Sequence, residues 1–582
     1  MALSEIDTGP FKVTPSIYHH LEQGLARSPD KPAVIAMHQT PSHLGELLDG
    51  RPNGAGACLS WSYTQLHHAA LRVAVGLTRN GIETGQTVVT FMPNSVEYAI
   101  MLWASAMVRL TLACLDPGAL GDARGPELKS LLRRLKPAVI YVPSVGGAAV
   151  VDGALLDSGI QAPKVKICHD AKQVTGWLTF EQLATNGGEQ EVDTEEVLEA
   201  ARHDDPSRVC IINFTSGTSS GIPKGCPRHV AAMSHVFENN PWDMKDVRGK
   251  PVRFVLSTTN FRVIAPQFTC AAWKAGGTVI MIPPSPSGGF NTTGALDAIE
   301  KHGATTLLLI PVMLHLLLAE PSFTTRNLNS LGAVMVGADI IDRATFTKAH
   351  NVFNHCRVSC AHGMTESGGT VTWPFFDKPL DMIPYVRDIC PIGKLVPGVA
   401  ARIWDPEAKR TTNRGEPGEL CFSAESVIKR YLDNVSPESF FLAGEKQWFR
   451  TGDLSVMDAD DVIFIVGRIK DVVKRAGIPI VPAALESCIK AYTDEETCVV
   501  ATPHPQLGQE PFAILKARSS KSEEEIKTHV VTMFGRDYSL AGVASLEDLG
   551  LQDFPLNSTA KILKFELQQR LEEFRKIRRI ES

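Results

Sequence analysis

A chain of 582 residues, 44% apolar and 21% charged, is long enough for a large core and too long for one compact domain, so two or more domains are expected. Its formal net charge of −6 gives no electrostatic support for binding nucleic acid or an anionic membrane surface, which leaves a small molecule or a protein as partner. Twelve cysteines lie scattered, without the short paired spacings of a zinc site or the density of a disulfide scaffold, and point to a reducing compartment.

The first residues, MALSEIDTGPFKV, carry acids and a proline where a signal peptide needs a basic start and an apolar run. From about residue 60 to 500, short β-branched apolar runs alternate with helix-length segments: TVVTFM (87–92), AVIYVP (138–143), VCIINF (209–214), RFVLST (253–258), TVIMIP (278–283), TTLLLIP (305–311) and GAVMVG (332–337). That alternation predicts α/β architecture, with parallel sheets covered by helices on both faces. LLLIPVMLHLLLA (307–319) is the most apolar stretch; it is too short for a membrane span and reads as a buried strand end and helix. HCRVSCAH (355–362) matches no familiar zinc spacing. ARIWD (401–405), GELCFS (418–423) and DVIFIVG (461–467) predict a smaller antiparallel β subdomain. After Gly467 a fresh α+β pattern begins, with ALESCIKAY as a helix, TCVVATPHP and PFAILKA as strands, and a final amphipathic helix from about residue 562. The boundary falls near Lys470, giving domains of 1–469 and 470–582. The closing Ile580-Glu581-Ser582 is not a peroxisomal tripeptide, so a soluble cytoplasmic protein is expected.

FTSGTSSGIPKG (214–225) is the most informative segment. Gly217, Gly221 and Gly225 let the backbone approach an anion closely. Thr215, Ser216, Thr218, Ser219 and Ser220 add hydroxyl donors, and Lys224 adds a point charge. A glycine loop entered from a buried strand predicts phosphate binding. It is not the common nucleotide loop, because Lys224 is followed by Gly225, Cys226 and Pro227 rather than by Ser or Thr opening a helix.

The segment resembles the phosphate loop of the adenylate-forming superfamily: acyl-CoA synthetases, the adenylation domains of nonribosomal peptide synthetases and beetle luciferases. Further elements resemble that family in order and rough spacing over about nine tenths of the chain. HGMTES (362–367) resembles its aromatic-Gly-x-Thr-Glu element. The resemblance implies that His362 stacks on adenine, that Gly363 and Met364 line the nucleotide site, that Thr365 contacts the α-phosphate, and that Glu366 with Thr218 holds Mg²⁺. Gly337, Ala338 and Asp339 match its adenine-lining turn, and WFRTGD (448–453) its segment whose acid, here Asp453, grips both ribose hydroxyls. GELCFSAESVIKRYLDN (418–434) aligns with the preceding element, with Ala424 and Arg430 where glycines are usual. GRIKDVVKRAG (467–477) resembles the interdomain hinge: Arg468 would contact ribose or phosphate, Lys470 would be the hinge, and Lys474 and Gly477 would lie on the face used for thioester formation. PLNSTAKILKFELQQRL (555–571) resembles the element bearing the catalytic lysine, here Lys561, with Ala560 in place of glycine.

The resemblance implies a large N-terminal domain of two α/β sheets plus a β subdomain, and a mobile C-terminal domain. It also implies two half-reactions: a carboxylate attacks the α-phosphorus of ATP·Mg²⁺ to give an acyl-adenylate and pyrophosphate, then a thiol attacks the adenylate after the C-terminal domain rotates. LSTTNFRVIAPQF (256–268) aligns with the family's pocket element, with Arg262 near the gate and Val263 where peptide synthetase domains carry an Asp for an α-amine. An aryl, fatty or other organic acid is therefore expected rather than an α-amino acid. Arg262 either recognises a second carboxylate or turns outward to solvent or a CoA phosphate. No carrier domain follows residue 582, which favours coenzyme A as acceptor. A freestanding enzyme that loads an acyl-carrier protein, a nucleotide-binding relative without turnover, and an oxidative second step stay open.

Overall fold

Strands with apolar side chains at consecutive positions need cover on both faces, and the seven runs named above fold as parallel strands of two such sheets. The computed structural model describes residues 2–48, 56–121, 124–156, 159–169, 174–185, 192–215, 223–239, 249, 251–285, 289–376, 378–556 and 562–581, with side chains as far as residue 576. One sheet has the order Val165–Cys168, Val139–Val142, Thr87–Thr90, Thr111–Cys114, Val209–Phe214 and Gly225–His229, parallel except for the last pair. The other runs Arg357–Ala361, Ala333–Gly337, Thr306–Leu309, Arg253–Leu256, Thr278–Met281, Pro32–Ala36 and Leu59–Ser62, again parallel except for the last pair.

Side chains alternate between faces, and this period of two builds three layers of core. Val88, Leu112 and Val139 of the first sheet share one cluster with Val34, Phe254 and Val279 of the second. The helices Ile17–Arg27, Tyr63–Arg79, Val96–Met107 and Ile264–Lys274 contribute to that shared cluster. Every residue of Val96–Met107 is buried, as expected of a helix that is apolar all round. The intervening strand residues face outward: Val89, Ala113 and Ile140 into one outer cluster, Ile35, Val255 and Ile280 into another.

Two details differ from the sequence expectation. The expected strand 305–311 ends at Leu309, and Pro311 opens the helix Pro311–Ala319, where its fixed φ and missing N–H are tolerated. The α/β pattern also begins earlier than residue 60, because Pro32–Ala36 completes the second sheet. The antiparallel subdomain forms as expected around Val399–Asp405, Gly418–Ala424, Lys446–Met457 and Ile463–Arg468, with Glu5–Asp7 added at its edge. Residues from Val473 onward build their own sheet, in which Gly508–Leu515 lies between Val473–Arg475 and Thr497–His504 and also pairs with Gly542–Ser545. Val473, Leu485, Val499 and Val530 pack on one face of that sheet; Cys498, Phe512, Leu567 and Leu571 pack on the other. Among the described residues no helix is long and apolar enough to cross a membrane.

One buried ion pair fixes the start of the central helix. Glu97, the second residue of Val96–Met107, accepts from His43 Nε2 at 2.6 Å and from Gln39 Nε2 at 2.8 Å, with His169 Nδ1 3.3 Å away. Burial, the largest single influence, would raise this carboxyl, but the hydrogen bond and charge of His43 together with the Ser95 and Gln39 hydrogen bonds outweigh it and hold Glu97 down to about 2. Burial is likewise the largest influence on His43 and opposes its charge, but the bond to Glu97 and the charges of Glu97, Glu181 and Glu46 together lift it above its ordinary value. The Glu97 contribution to stability is present above pH 4.5 and fades as pH falls towards 2. That of His43 is complete below pH 6.5 and is lost as pH rises through its raised folded value. His43→Gln is therefore expected to cost about 3 kcal/mol in mildly acidic solution and distinctly less in alkaline solution. Urea unfolding of both proteins on the two sides of neutrality measures this, and an equal deficit at both would remove the imidazolium charge from the account.

Candidate functional site

Parallel strands release the chain at one common edge, and two of the predicted turns emerge there side by side. Gly337 ends the strand Ala333–Gly337 in register with Ala361, the end of Arg357–Ala361. A Cβ on Gly337 would stand 2.1 Å from the Ala361 carbonyl oxygen, so the two exits lie this close only because position 337 has no side chain. The chain continues through Ala338, in the left-handed region at φ 64°, to Asp339, whose carboxylate accepts from the Ile340 N–H at 2.8 Å. On the neighbouring exit, His362, Gly363, Met364, Thr365 and Glu366 form a turn closed by the Ser367 and Gly368 N–H groups, which donate to the Met364 carbonyl at 3.2 and 2.9 Å. The half-buried His362 ring lies 6.2 Å from that of Phe422, tilted by 44°.

The base of the glycine loop is closed from both sides. The Thr215 N–H donates to the Lys224 carbonyl at 2.9 Å, and the Lys224 N–H donates to Thr215 Oγ1 at 3.1 Å. Ser216, Gly217, Thr218, Ser219, Ser220 and Gly221 lie outside the described residues. Lys224 Nζ sits 5.0 Å from the centre of the Tyr431 ring, within cation–π reach. The Tyr431 hydroxyl donates to Glu366 Oε1 at 2.7 Å. Burial first, and the Glu366 charge second, push the Tyr431 phenol far above its ordinary value, so it stays protonated and donating.

Tyr431 thus joins the loop lysine to Glu366, a role the sequence reading did not assign. It lies in the 418–434 segment, where the only signal was one tyrosine in a charged stretch. The same loop is pinned elsewhere: Asp433 pairs with Arg134 at 2.7 Å, and Arg134 Nη1 donates to the Pro223 carbonyl at 3.0 Å. The Ile428 N–H also donates to the Glu366 carbonyl at 2.8 Å.

Asp453 and Arg468 face one another across the antiparallel pair Lys446–Met457 and Ile463–Arg468. Arg468 Nε lies 2.9 Å from Asp453 Oδ1, and its Nη1 donates to the Thr451 carbonyl at 3.1 Å. The Asp453 N–H donates to Thr451 Oγ1 at 3.0 Å, and Asp453 is buried, at 6% residue exposure. Lys470 follows directly in the single turn Ile469–Asp471. Lys474, in Val473–Arg475, reaches Glu407 Oε1 at 3.4 Å, but both groups are exposed and such a pair contributes little. Gly477, at φ 84°, makes the exposed turn that follows. Lys561 lies outside the described residues.

Arg262 and Val263 form the turn before the helix Ile264–Lys274. The Asn213 side chain donates to the Phe261 carbonyl at 3.3 Å and ties that turn to the strand entering the glycine loop. Arg262 is half-buried, its guanidinium 5.0 Å from the Phe261 ring centre, and burial pushes its pKa down to about 10.

Comparison with known proteins places this geometry among relatives. The family model described as AMP-binding enzyme matches residues 21–432. An acyl–CoA ligase of Pestalotiopsis microspora is 36% identical over 574 residues, covering 97% of this chain and 98% of the relative. A 4-coumarate–CoA ligase of Oryza sativa subsp. japonica is 26% identical, covering 90% and 91%. Among solved structures, ATP-bound MatB from Rhodopseudomonas palustris superposes with a TM-score of 0.75 at 20% identity, over 96% of this chain and 98% of that one.

Proposed function

The chain belongs to the AMP-binding enzyme family, and we propose that it is an AMP-forming acid–thiol ligase that activates a carboxylic acid with ATP and transfers the acyl group to coenzyme A. The likeness to an acyl–CoA ligase over 97% of the chain carries this reading. In the first step a carboxylate oxygen bonds to the α-phosphorus while the bond to the bridging β-oxygen breaks, and pyrophosphate departs with the electron pair. In the second step the CoA sulfur bonds to the acyl carbon and AMP leaves.

Both reactants of the first step are anions, so positioning and charge neutralisation are the enzyme's main task. Lys224, held over Tyr431, is available to the β- and γ-phosphates, with the hydroxyls and amides from Thr215 to Gly221 as its companions in the loop. Glu366 offers a hard oxygen donor whose Oε1 is engaged by a neutral phenol, and with Thr218 it would hold Mg²⁺. When bound, that ion supplies neutralisation of the polyphosphate charge. Thr365 faces the α-phosphate, Asp453 takes the ribose hydroxyls, and the His362 ring with the Gly337–Asp339 turn borders adenine.

The unit from Lys470 onward is a separate domain that turns on the Ile469–Asp471 segment. Its two core clusters draw only on residues beyond 472, and it meets the rest of the chain through the exposed Lys474–Glu407 pair and the packing of Ala483 on the cluster of Ile389, Val462, Phe464 and Val466. Turning withdraws Lys561 and presents the face of Lys474 and Gly477 for the second step. The twelve cysteines are thiols not joined in disulfides, in keeping with a reducing compartment such as the cytoplasm.

The test is pyrophosphate release across a panel of carboxylic acids, with and without CoA, followed by mass detection of the thioester. Release of pyrophosphate and an acyl-CoA product are expected together for at least one acid. If no acid releases pyrophosphate the reading fails, and if acids are adenylated while CoA never gains an acyl group, a carrier-protein thiol is the acceptor.

A further inference from the structure

Arg228 lies in the strand Gly225–His229 with no exposed surface, and among the described residues its Nε, Nη1 and Nη2 have no hydrogen-bond partner. An unpaired charge in that environment is among the costliest groups a fold can carry. Burial pushes its pKa down to about 10, which still leaves it a cation at neutral pH. The carboxylate whose charge it feels is Glu366, and Glu366 is already engaged by the Tyr431 hydroxyl.

A second unsatisfied group meets it. Gln267, 1% exposed, has neither amide oxygen nor amide nitrogen bonded. Both side chains converge on Gly368: a Cβ built there would stand 2.8 Å from Gln267 Oε1 and 2.9 and 3.2 Å from Arg228 Nη2 and Nη1. Gly368 is two residues beyond Glu366, and Gln267 is one helical turn beyond Val263, to whose carbonyl its N–H donates. The strand register adds Asn213, opposite Cys226 on the face that Arg228 shares, with its Oδ1 also unbonded. The orphaned polar atoms therefore gather between the Arg262–Val263 turn and the Thr365–Glu366 turn, where the acid to be activated must sit.

We infer that Arg228 and Gln267 form a recognition site for a second carboxylate, so that the enzyme's substrates are dicarboxylic acids thioesterified at one end. The inference rests on the ligase reading above. A carboxylate matches the need in both charge and shape: its two oxygens accept from Nη1 and Nη2 side by side, and the Gln267 amide nitrogen supplies a further donor. A hydroxyl or ketone would satisfy one donor and leave the charge unbalanced. Arg228 and Gln267 are assigned to specificity and take no part in bond making.

The test uses the full chain with pairs of acids of equal carbon count, one monocarboxylic and one dicarboxylic, over a range of lengths, read as pyrophosphate and thioester. For the best length, kcat/KM for the diacid should exceed that for the monoacid by roughly 100-fold or more, since a buried polar site rejects an analogue that leaves it unpaired. Arg228→Met should bring the pair to parity and, because it removes an uncompensated buried charge, should raise the Tm of the ligand-free protein. Gln267→Leu should weaken the preference in the same direction. Wild-type preference for monoacids, or an Arg228→Met protein that keeps the diacid preference, would overturn the inference and leave the ligase reading standing. If no acid is adenylated the ligase reading fails. Ligand-induced Tm shifts then decide the recognition site alone: a larger shift with the diacid, lost in Arg228→Met, upholds carboxylate binding there and equal shifts overturn it.

Discussion

Replacing Lys561 by alanine is expected to slow adenylate formation by about 10²–10³-fold, the usual cost of losing one aligned group that meets developing charge. The same variant should convert a supplied acyl-adenylate and CoA into thioester at close to the wild-type rate. The two outcomes differ because the steps make different demands. In the first, negative charge moves from the carboxylate through the α-phosphorus to the bridging oxygen, and a mobile ammonium can follow it. In the second, AMP is the leaving group and the attacking atom is sulfur, and the turned domain has withdrawn Lys561 from the phosphate, so its loss is not felt. Stopped pyrophosphate assays and single-turnover thioester formation from synthetic adenylate separate them. Equal loss in both would mean that one arrangement of the two domains serves both reactions.

The start of a separate sheet after the antiparallel subdomain was legible in the chain itself. After Gly467 the pattern restarts, and the sheet that follows draws all its strands from Val473 onward, with Gly508–Leu515 pairing with Val473–Arg475, Thr497–His504 and Gly542–Ser545. The parallel sheets were equally open to reading, because strands such as Val139–Val142 and Thr306–Leu309 are buried on both faces and leave continuous apolar runs. Short or mixed strands left no such trace. Val165–Cys168 interrupts its run with Lys166, and Glu5–Asp7 is three residues long and held at the edge by backbone pairing with Ala400 to Arg402. At the candidate site, the motif residues could be named one at a time, whereas their connections could not. Tyr431 acquires its role only because the loop of Asp433 is pinned to Arg134 and so brings its ring between Lys224 and Glu366. Arg228 sits in a strand whose other members are ordinary, and its meaning comes from what fails to surround it. Pairing and solvation are three-dimensional properties, and residue type alone does not carry them.

Asp453→Asn is expected to lower kcat/KM for ATP by roughly 10³-fold, from the loss of two charge-assisted hydrogen bonds of about 2 kcal/mol each. The change keeps the volume and one acceptor, but it turns an amide N–H towards hydroxyl groups that need to donate. Loss of the Arg468 pair should alter stability little, because the Arg468 side chain is 46% exposed and can be hydrated instead. The activity loss and a near-constant Tm together distinguish a ligand contact from a structural one. A sharper readout is the sugar itself. With 2′-deoxy-ATP the wild-type enzyme should lose about 30-fold, one such bond, while the variant, having already lost that bond, should treat the two nucleotides nearly alike. If Asp453→Asn discriminates against the deoxy nucleotide as strongly as the wild type does, the carboxylate does not touch the ribose.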